Sequence, residues 1–183
     1  YGDIKYGEAP QTFFPYLTEN LKMDIYMPDG DVLTKRPIIL FAHASAFMFS
    51  NKECDVAKAY ADTFTRRGYV FASVGYRLGF NAADGESAMR AAYAAIQDGK
   101  AAVRFIKEYA DTFGVDTNNI IFAGSSAGGI IALYAAYGDK ESERPADSYG
   151  GFLSPDMGCW DCSGNTYAHS SKVKAAISMW GAV

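Results

Sequence analysis

Five residues near the middle of the chain have types and spacing suited to covalent chemistry. Residues 124–128 read G-S-S-A-G and match the pattern G-x-S-x-G, with Ser126 at its centre. They follow an apolar run and precede an alanine-rich one, the context of a sharp turn from a strand into a helix. Such a turn strains the central serine and exposes its hydroxyl, while the helix N-terminus directs N–H groups at a developing oxyanion. The pattern therefore predicts that Ser126 is a nucleophile.

The same five residues have two other interpretations. A glycine- and serine-rich turn can be free of chemistry, and it can bind phosphate. The Rossmann pattern G-x-G-x-x-G does not fit these residues, and a Walker loop would need Gly-Lys-Ser/Thr. The nucleophile interpretation accounts for both the residue types and their context.

A second segment suited to the same chemistry lies upstream. Residues 39–47 read I-L-F-A-H-A-S-A-F, an apolar run that ends in a small-residue loop after His43. An ester hydrolase places its second source of oxyanion N–H groups at the end of such a strand. A tetrahedral intermediate requires donors about 3 Å from its oxyanion, and each of the two loops would supply one.

Apolar runs and helical periods predict the elements that position these loops. Strands are expected where β-rich apolar residues lie between turns, and helices where apolar residues recur with a period near 3.6. The predicted strands cover residues 21–27, 38–42, 69–74, 120–123 and 173–180. The predicted helices cover residues 55–67, 86–109 and 126–138. Strands that alternate with helices indicate an α/β fold with a parallel sheet.

Composition limits the class of protein. The chain has 183 residues, of which 49% are hydrophobic, and this suits one core in a single domain spanning residues 1–183. Lys and Arg number 17 against 21 Asp and Glu, so nucleic acid is not the expected partner, because phosphate binding needs clustered Lys and Arg. No apolar run approaches the roughly 20 residues that cross a bilayer, so no membrane span is expected.

Together these segments resemble an α/β-hydrolase of the carboxylesterase/lipase type over about residues 21–180. The resemblance includes an H-G-G-G-F-like loop at residues 43–47 and the tripeptide Y-R-L at residues 76–78. It also includes Q-D-G-K-A-A-V-R at residues 97–104, similar to a helix of secreted bacterial esterases. The resemblance implies a three-layer α/β sandwich with a mostly parallel sheet.

The resemblance also implies a role for each residue of the site. Ser126 would be the nucleophile, and His43 would brace its loop by hydrogen bonds. The backbone N–H groups that form the oxyanion hole would come from Ala127, Ser45 and Ala46.

The chain departs from this family where the family has three consecutive glycines. Residues 44–46 read A-S-A instead. The N–H groups survive such changes, but backbone angles that only glycine adopts easily do not. If the first or second of these glycines needs a positive φ, we therefore expect Ala44 or Ser45 to carry strain or to rotate a donor away. The Ser45 side chain is expected to crowd the acyl pocket or to add a hydroxyl donor there.

The acid and base that must activate Ser126 are not evident in the chain. This fold orders the triad as Ser, Asp/Glu, His, and an imidazole must accept the serine proton. His43 precedes the serine, and His169 comes before the last predicted strand, whereas the family histidine follows two further strands. Four aspartates follow Ser126 without following a later strand: Asp139, Asp147, Asp156 and Asp161. We expect both triad partners to lie outside this chain, with His169 as the alternative base.

This order of motifs argues against a complete single domain of 183 residues. We expect residues 1–183 to be an incomplete hydrolase domain whose C-terminal strands are missing. Its partner would be the C-terminal remainder of the same domain, which would cover the edge of the last strand. Residues 139–171 are polar and rich in Gly and Ser, so they are expected to form a long irregular loop or insertion.

The favoured function is a serine carboxylic-ester hydrolase that works through an acyl-enzyme on Ser126. Its substrate would be a small-molecule, polysaccharide or lipid ester, and the sequence does not select one of these. The alternatives are a non-catalytic hydrolase-like binding module and an acyltransferase or peptidase on the same fold. No cofactor and no metal ion are expected.

The cysteines bear on the compartment. Cys159 and Cys162 have C-x-x-C spacing but lie in a polar stretch, whereas a redox pair needs a helix N-terminus after a strand. A zinc site needs four ligands, and only His169 is near. A local disulfide or two loop thiols are therefore expected, with Cys54 left over. A disulfide, together with the likeness to secreted esterases, predicts a secreted or periplasmic protein.

Overall fold

One six-stranded sheet organises the computed structural model, which describes residues 1–30, 32–150 and 154–181. The strands are β1 (Ile4–Pro10), β2 (Thr18–Tyr26), β3 (Arg36–Ala42), β4 (Val70–Val74), β5 (Val115–Ser125) and β6 (Ala175–Met179). The helices are α1 (Asp55–Thr65), α2 (Gly85–Glu108) and α3 (Ala127–Tyr137), followed by two single 3₁₀ turns, Glu141–Glu143 and Ala146–Ser148. The five predicted strands and three predicted helices are all present, with shifted ends.

The sheet is mostly parallel, as the sequence predicted. Its strand order is β1-β2-β4-β3-β5-β6. The strands β4, β3, β5 and β6 run parallel to one another, and β2 pairs antiparallel with both β1 and β4.

Helices cover both faces of this sheet. Along β3, Ile38 and Leu40 pack into the larger apolar core, which contains residues of α2 and α3. Ile39 and Phe41 point to the other face and pack into a smaller core with Ala57 of α1. Alternate residues of one strand are thus buried on opposite faces, as a central strand requires. The three-layer α/β-hydrolase architecture is confirmed.

Strand β1 is the element that the sequence did not reveal. Its pairing with β2 is interrupted between Lys5 and Gly7, and both Tyr6 and Gly7 are buried. A bulge of this kind breaks the two-residue alternation by which a half-buried strand is detected. The strand therefore lacked its usual sequence signal.

The parallel strands end level with one another at one edge of the sheet. Ala42 of β3 is paired with Val74 of β4 and with Gly124 of β5, and Gly124 is paired with Ser178 of β6. The loops that follow β3, β4 and β5 consequently emerge side by side at this edge. The two segments that the sequence selected for chemistry, residues 124–128 and 43–47, are therefore neighbours.

The described part of the predicted loop 139–171, which lacks residues 151–153, is held against helix α2 by buried polar side chains. The Gln97 side-chain amide donates to the backbone carbonyls of Met157 (2.9 Å) and Cys159 (2.8 Å). Arg104 donates to the Ser163 carbonyl (2.6 Å). Gln97 and Arg104 are almost fully buried, so a polar stripe on the helix faces this segment rather than solvent. Satisfied buried polar groups of this kind fix a loop in one arrangement.

The two cysteines of the C-x-x-C sequence form a disulfide, Cys159–Cys162. Trp160, between them, is buried with its ring 4.6 Å from Tyr93 of α2 and 5.7 Å from Tyr134 of α3. The disulfide loop therefore inserts an aromatic anchor between the two helices. Cys54 is a free, partly buried thiol.

Strand β6 lies at an edge of the sheet and pairs with β5 alone among the described strands. Ile177 is 46% exposed, and Trp180, directly after the strand, is 84% exposed. No helix in the three described ranges is both long and apolar enough to cross a membrane.

Candidate active site

Ser126 occupies the junction between β5 and α3. Its backbone has φ +52° and ψ −117°, and it is the residue that precedes the first turn of the helix. A positive φ is costly for a residue with a Cβ and is found mainly where the surroundings impose it. The Ser126 N–H donates to the Met179 carbonyl at the end of β6 (2.8 Å), which fixes the turn to the neighbouring strand. The side chain is partly exposed at the sheet edge.

Glycines make room for this turn, which we call the elbow turn (residues 124–129). A Cβ on Gly124 would overlap the carbonyl of Gly128, and a Cβ on Gly128 would overlap the carbonyl of Ala42. A Cβ on Gly129 would lie 2.7 Å from Ser178 Oγ. The first turn of α3 therefore presses directly on the end of β3, so the start of α3 lies beside the loop that follows Ala42.

That loop, which we call the 43–47 loop, carries its strain at positions other than those expected. Positive φ values occur at Ala46 (+48°) and Phe47 (+57°), and not at Ala44 or Ser45. Ala44 and Ser45 are therefore free of the strain that a positive φ would impose. The turn of this loop begins only at residue 46, after three residues that belong to no helix, strand or turn.

The Ser45 side chain also lies elsewhere than expected. It is 1% exposed, and its Oγ accepts a hydrogen bond from the Phe47 N–H (2.8 Å). The expectation that it would crowd an acyl pocket or offer a donor there was wrong, because the side chain points into the loop interior.

His43 is buried beneath the same loop. Its ring is 1% exposed and stacks on the Tyr76 ring, with centroids 4.4 Å apart and planes at 18°. Its Nδ1 lies 3.2 Å from the Ala44 carbonyl oxygen. Burial lowers the pKa of His43, so the neutral imidazole is favoured. This geometry suits a residue that braces the loop.

The residues after β4 support the 43–47 loop from its other side. We call residues 76–80 the 76–80 segment. The Tyr76 hydroxyl donates to the His43 carbonyl (2.6 Å), and the N–H groups of Gly79 (2.8 Å) and Phe80 (3.0 Å) donate to the Phe47 carbonyl. The Y-R-L sequence marked this segment by resemblance, but only the fold shows what its tyrosine contacts.

Arg77 fixes the 76–80 segment to helix α2. Its side chain is 3% exposed and forms an ion pair with the fully buried Asp98 (2.8 Å). The Arg77 N–H donates to the same carboxylate (2.8 Å), and its guanidinium also donates to the carbonyls of Pro10 (3.0 Å) and Ala94 (3.1 Å). Sequence reasoning missed this pair, because neither residue lies near the other along the chain.

Three backbone N–H groups at this edge of the sheet have no hydrogen-bond partner among the described residues. In the described part of the chain, the N–H groups of Ser45, Ala46 and Ala127 donate to no protein acceptor. Ala127 is the first residue of α3, so its N–H also benefits from the positive end of the helix dipole. These donors lie on the two loops that the Gly128 contact brings together.

Comparisons with known proteins agree with this architecture. A family model described as BD-FAE matches residues 23–183. The chain belongs to the BD-FAE family. Esterase 2 of Thermogutta terrifontis, phosphonylated by cyclosarin, matches with a TM-score of 0.68 and 20% identity over 90% of this chain and 53% of that chain. Its apo form matches with a TM-score of 0.63 and 22% identity over 86% of this chain and 49% of that chain.

One curated relative matches in sequence. Gut esterase 1 of Caenorhabditis briggsae is 31% identical over 96 residues, which are 51% of this chain and 17% of that protein. This BD-FAE chain therefore spans about half the length of the esterase structures it matches, and a smaller share of the curated relative.

The remaining candidates for acid and base are not brought to Ser126 in this BD-FAE chain. His169 lies 2.9 Å from Glu108, at the end of α2, and shares a surface depression with Thr117 and Asn118 near the start of β5. Ser126 directly follows the opposite end of β5.

Three of the four aspartates after Ser126 have other partners, and the fourth, Asp147, accepts a hydrogen bond from Arg90 at its backbone carbonyl (2.7 Å). Asp156 binds Arg144, Asp161 binds Arg104, and Asp139 lies 3.9 Å from Lys172. Among the described residues, none of these three carboxylates contacts a histidine.

Proposed function

We propose that this chain carries the nucleophile and oxyanion donors of a serine carboxylic-ester hydrolase. The observation that supports the proposal most is the conformation of Ser126, held at a positive φ between the end of β5 and the first turn of α3. Strain of this kind is kept at reactive serines because it exposes the hydroxyl at the edge of the sheet. Membership of the BD-FAE family and the esterase relatives support the same reaction class.

In the proposed reaction Ser126 Oγ attacks the ester carbonyl carbon while an imidazole accepts the serine proton. The carbonyl oxygen becomes an oxyanion, which the N–H groups of Ala127 and of Ser45 or Ala46 stabilise. The tetrahedral intermediate then collapses, the alkoxide leaves with the proton from the imidazole, and the acyl group stays on Ser126. Water attacks the acyl-enzyme by the same route and releases the acid.

We assign the imidazole and its carboxylate partner to the C-terminal remainder of the same hydrolase domain. Two observations support this proposal. The edge of β6 and its neighbour Trp180 are exposed, as a surface awaiting further strands would be. The matched esterase structures are also about twice as long as this chain.

Covalent labelling tests the nucleophile directly. The matched esterase structure is phosphonylated by cyclosarin, and a fluorophosphonate probe would modify an activated serine in the same way. We expect the full-length protein to acquire one adduct, located on Ser126 by peptide mass spectrometry. Ser126→Ala should abolish labelling and ester hydrolysis, whereas the neighbouring control Ser125→Ala should retain both.

The outcome of labelling separates the alternatives. A folded, full-length protein without an adduct on Ser126 would contradict the hydrolase and leave a hydrolase-like binding module. An adduct together with a strong preference for alcohol or amine acceptors over water would indicate an acyltransferase, and cleavage of peptide bonds a peptidase. Activated esters of acetate, longer acids and polysaccharide-linked acids would distinguish small-molecule, polysaccharide and lipid esters.

We also propose a secreted or periplasmic location. The Cys159–Cys162 disulfide supports it, because such bonds persist in oxidising compartments. Mass spectrometry of thiol-alkylated protein from the native host should show both cysteines protected until a reductant is added. Free thiols at both positions in freshly isolated protein would contradict the proposal.

A further inference from the structure

The 43–47 loop contains two consecutive residues in a conformation that side chains disfavour. Ala46 and Phe47 both have positive φ, +48° and +57°, although neither is glycine. Residues with a Cβ rarely adopt such angles unless surrounding contacts impose them. The contacts that impose them here lie inside the loop and on the 76–80 segment.

A chain of three hydrogen bonds runs through the interior of the loop. The Phe47 N–H donates to Ser45 Oγ (2.8 Å), and the Tyr76 hydroxyl lies 2.7 Å from Ser45 Oγ and 2.6 Å from the His43 carbonyl oxygen. A carbonyl only accepts and a phenol has one proton, so the Tyr76 proton goes to His43 and the Ser45 proton to the phenol oxygen. Each bond then polarises the next in the same direction.

Burial prevents water from replacing these bonds. Ser45 is 1% exposed, Tyr76 7% and Phe47 8%. Without the Ser45 hydroxyl, the Phe47 N–H would be left buried and unpaired, which is more costly than an exposed lost bond. Ser45 also accepts the N–H groups of Met48 (2.9 Å) and Phe49 (3.2 Å) at its backbone carbonyl, so it organises the whole turn.

We propose that Ser45 and Tyr76 are positioning residues of the esterase reaction. Their two hydroxyls hold the peptide planes of residues 45–47 in the strained turn that presents the Ser45 and Ala46 N–H groups to the oxyanion. In this loop a hydrogen bond to the Ser45 side chain therefore stabilises a turn that glycines would otherwise make possible by their conformational freedom. This inference rests on the proposed function, because the donors act only if Ser126 attacks a carbonyl.

The alternative is that Ser45 is only tolerated where the family has glycine. The two explanations predict opposite results for Ser45→Gly in the full-length protein. A positioning role predicts that kcat falls about tenfold with KM changed less than about threefold, because oxyanion donors act mainly on the transition state. Tyr76→Phe should lower kcat by a similar factor. Mere tolerance predicts wild-type or higher kcat for Ser45→Gly.

The double variant tests whether the two hydroxyls act as one unit. Ser45→Gly/Tyr76→Phe should lose no more than about threefold beyond either single variant, because residues of one network are not additive. Losses that multiply would contradict the shared network.

Two controls complete the experiment. Tyr93→Phe removes another buried tyrosine hydroxyl, bonded to the Gly158 carbonyl (2.8 Å), and should leave kcat per labelled site unchanged. Counting active sites with the fluorophosphonate probe corrects every kcat for unfolded protein. The Ser126→Ala variant distinguishes failure of the proposed function from failure of this inference. Esterase activity in Ser126→Ala would refute the proposed function. Full activity in both Ser45→Gly and Tyr76→Phe, with Ser126 essential, would refute only this inference.

Discussion

The two loops that meet at the candidate site contain the same kind of strain but stabilise it differently. In the elbow turn, Ser126 has a positive φ because glycines let the backbone of α3 pack against the end of β3. In the 43–47 loop, Ala46 and Phe47 have positive φ without any glycine, and hydrogen bonds from Ser45 and the 76–80 segment hold them. One loop depends on the absence of side chains and the other on their presence.

This difference explains why the conformation of the elbow turn can be predicted from the sequence and that of the 43–47 loop cannot. Absent side chains appear directly as the pattern G-x-S-x-G, and the pattern predicted both the position of Ser126 and the strand and helix beside it. Hydrogen-bonded support depends on partners far away in the chain, such as Tyr76, whose contact with Ser45 spans 31 positions. Variants that remove each kind of support separately therefore test whether the two loops are stabilised in these different ways.

The largest effect is expected from removing the anchor of the 76–80 segment. In Asp98→Ala the buried guanidinium of Arg77 would lose its carboxylate and remain uncompensated. Breaking a buried ion pair on one side typically costs about 3–5 kcal/mol of unfolding free energy. Urea unfolding of the full-length protein should show a loss of this size.

The matched control for that loss is Asp62→Ala. Asp62 pairs with Arg66 on the exposed face of α1, so its removal should change stability little. Equal losses for the two aspartates would show that the Arg77–Asp98 pair does not anchor the segment.

A somewhat smaller effect is expected from filling the space in the elbow turn. In Gly128→Ala the new Cβ would overlap the Ala42 carbonyl. The atoms nearest to it belong to the backbone of Ala42 and His43, so no flexible side chain can move aside. Overpacking of this kind costs about 1–3 kcal/mol, and the shift should also reduce fluorophosphonate labelling of Ser126.

Gly85→Ala is the control for the same chemical change. Gly85 is the first residue of α2, and a Cβ at this position would point into open space, so stability should stay the same or rise. A Gly128→Ala protein as stable and as readily labelled as Gly85→Ala would show that the elbow turn tolerates side chains.

Most of the fold followed from local patterns, and the failures have physical causes. The alternating or continuous apolar runs predicted β2 to β6, but the bulge between Lys5 and Gly7 hid β1. The elbow turn was predictable because its geometry requires particular residue types. The orientation of Ser45 was not, because a small polar side chain points wherever its partners lie, and Tyr76 is one of them. The Arg77–Asp98 pair was hidden for the same reason.

A smaller effect, of opposite sign, is expected from relieving the strain in the 43–47 loop. Ala46→Gly removes the Cβ from a residue with φ +48°, and we expect stability to rise by about 1 kcal/mol or less, since glycine also gains freedom in the unfolded chain. Ala44→Gly, two residues earlier at an ordinary φ, should instead lower stability slightly. Thermal unfolding of the two variants under one buffer would measure the contrast. A loss of stability in Ala46→Gly would mean that the methyl group stabilises the loop.

The smallest effect concerns the imidazole beneath the loop. Burial lowers the pKa of His43, so below about pH 6.5 the unfolded chain binds a proton that the folded chain does not. The stability contributed by neutral His43 is therefore complete above about pH 6.5 and is lost as the pH falls towards the lowered pKa. We expect the free energy of unfolding to fall by less than about 1 kcal/mol between about pH 7 and pH 6 through this group.

The His43→Phe variant isolates this contribution, because it keeps a buried ring against Tyr76 and removes the titrating nitrogen atoms. Urea unfolding at both pH values should show a shallower pH dependence in His43→Phe than in the wild type. His169→Gln removes the other of the two histidines and serves as the comparison. If His43→Phe kept the full pH dependence, protonation would not disturb the 43–47 loop. The hydrogen bonds of Ser45 and of the 76–80 segment would then hold the loop without help from the charge state of His43, which would sharpen the contrast with the glycine-dependent elbow turn.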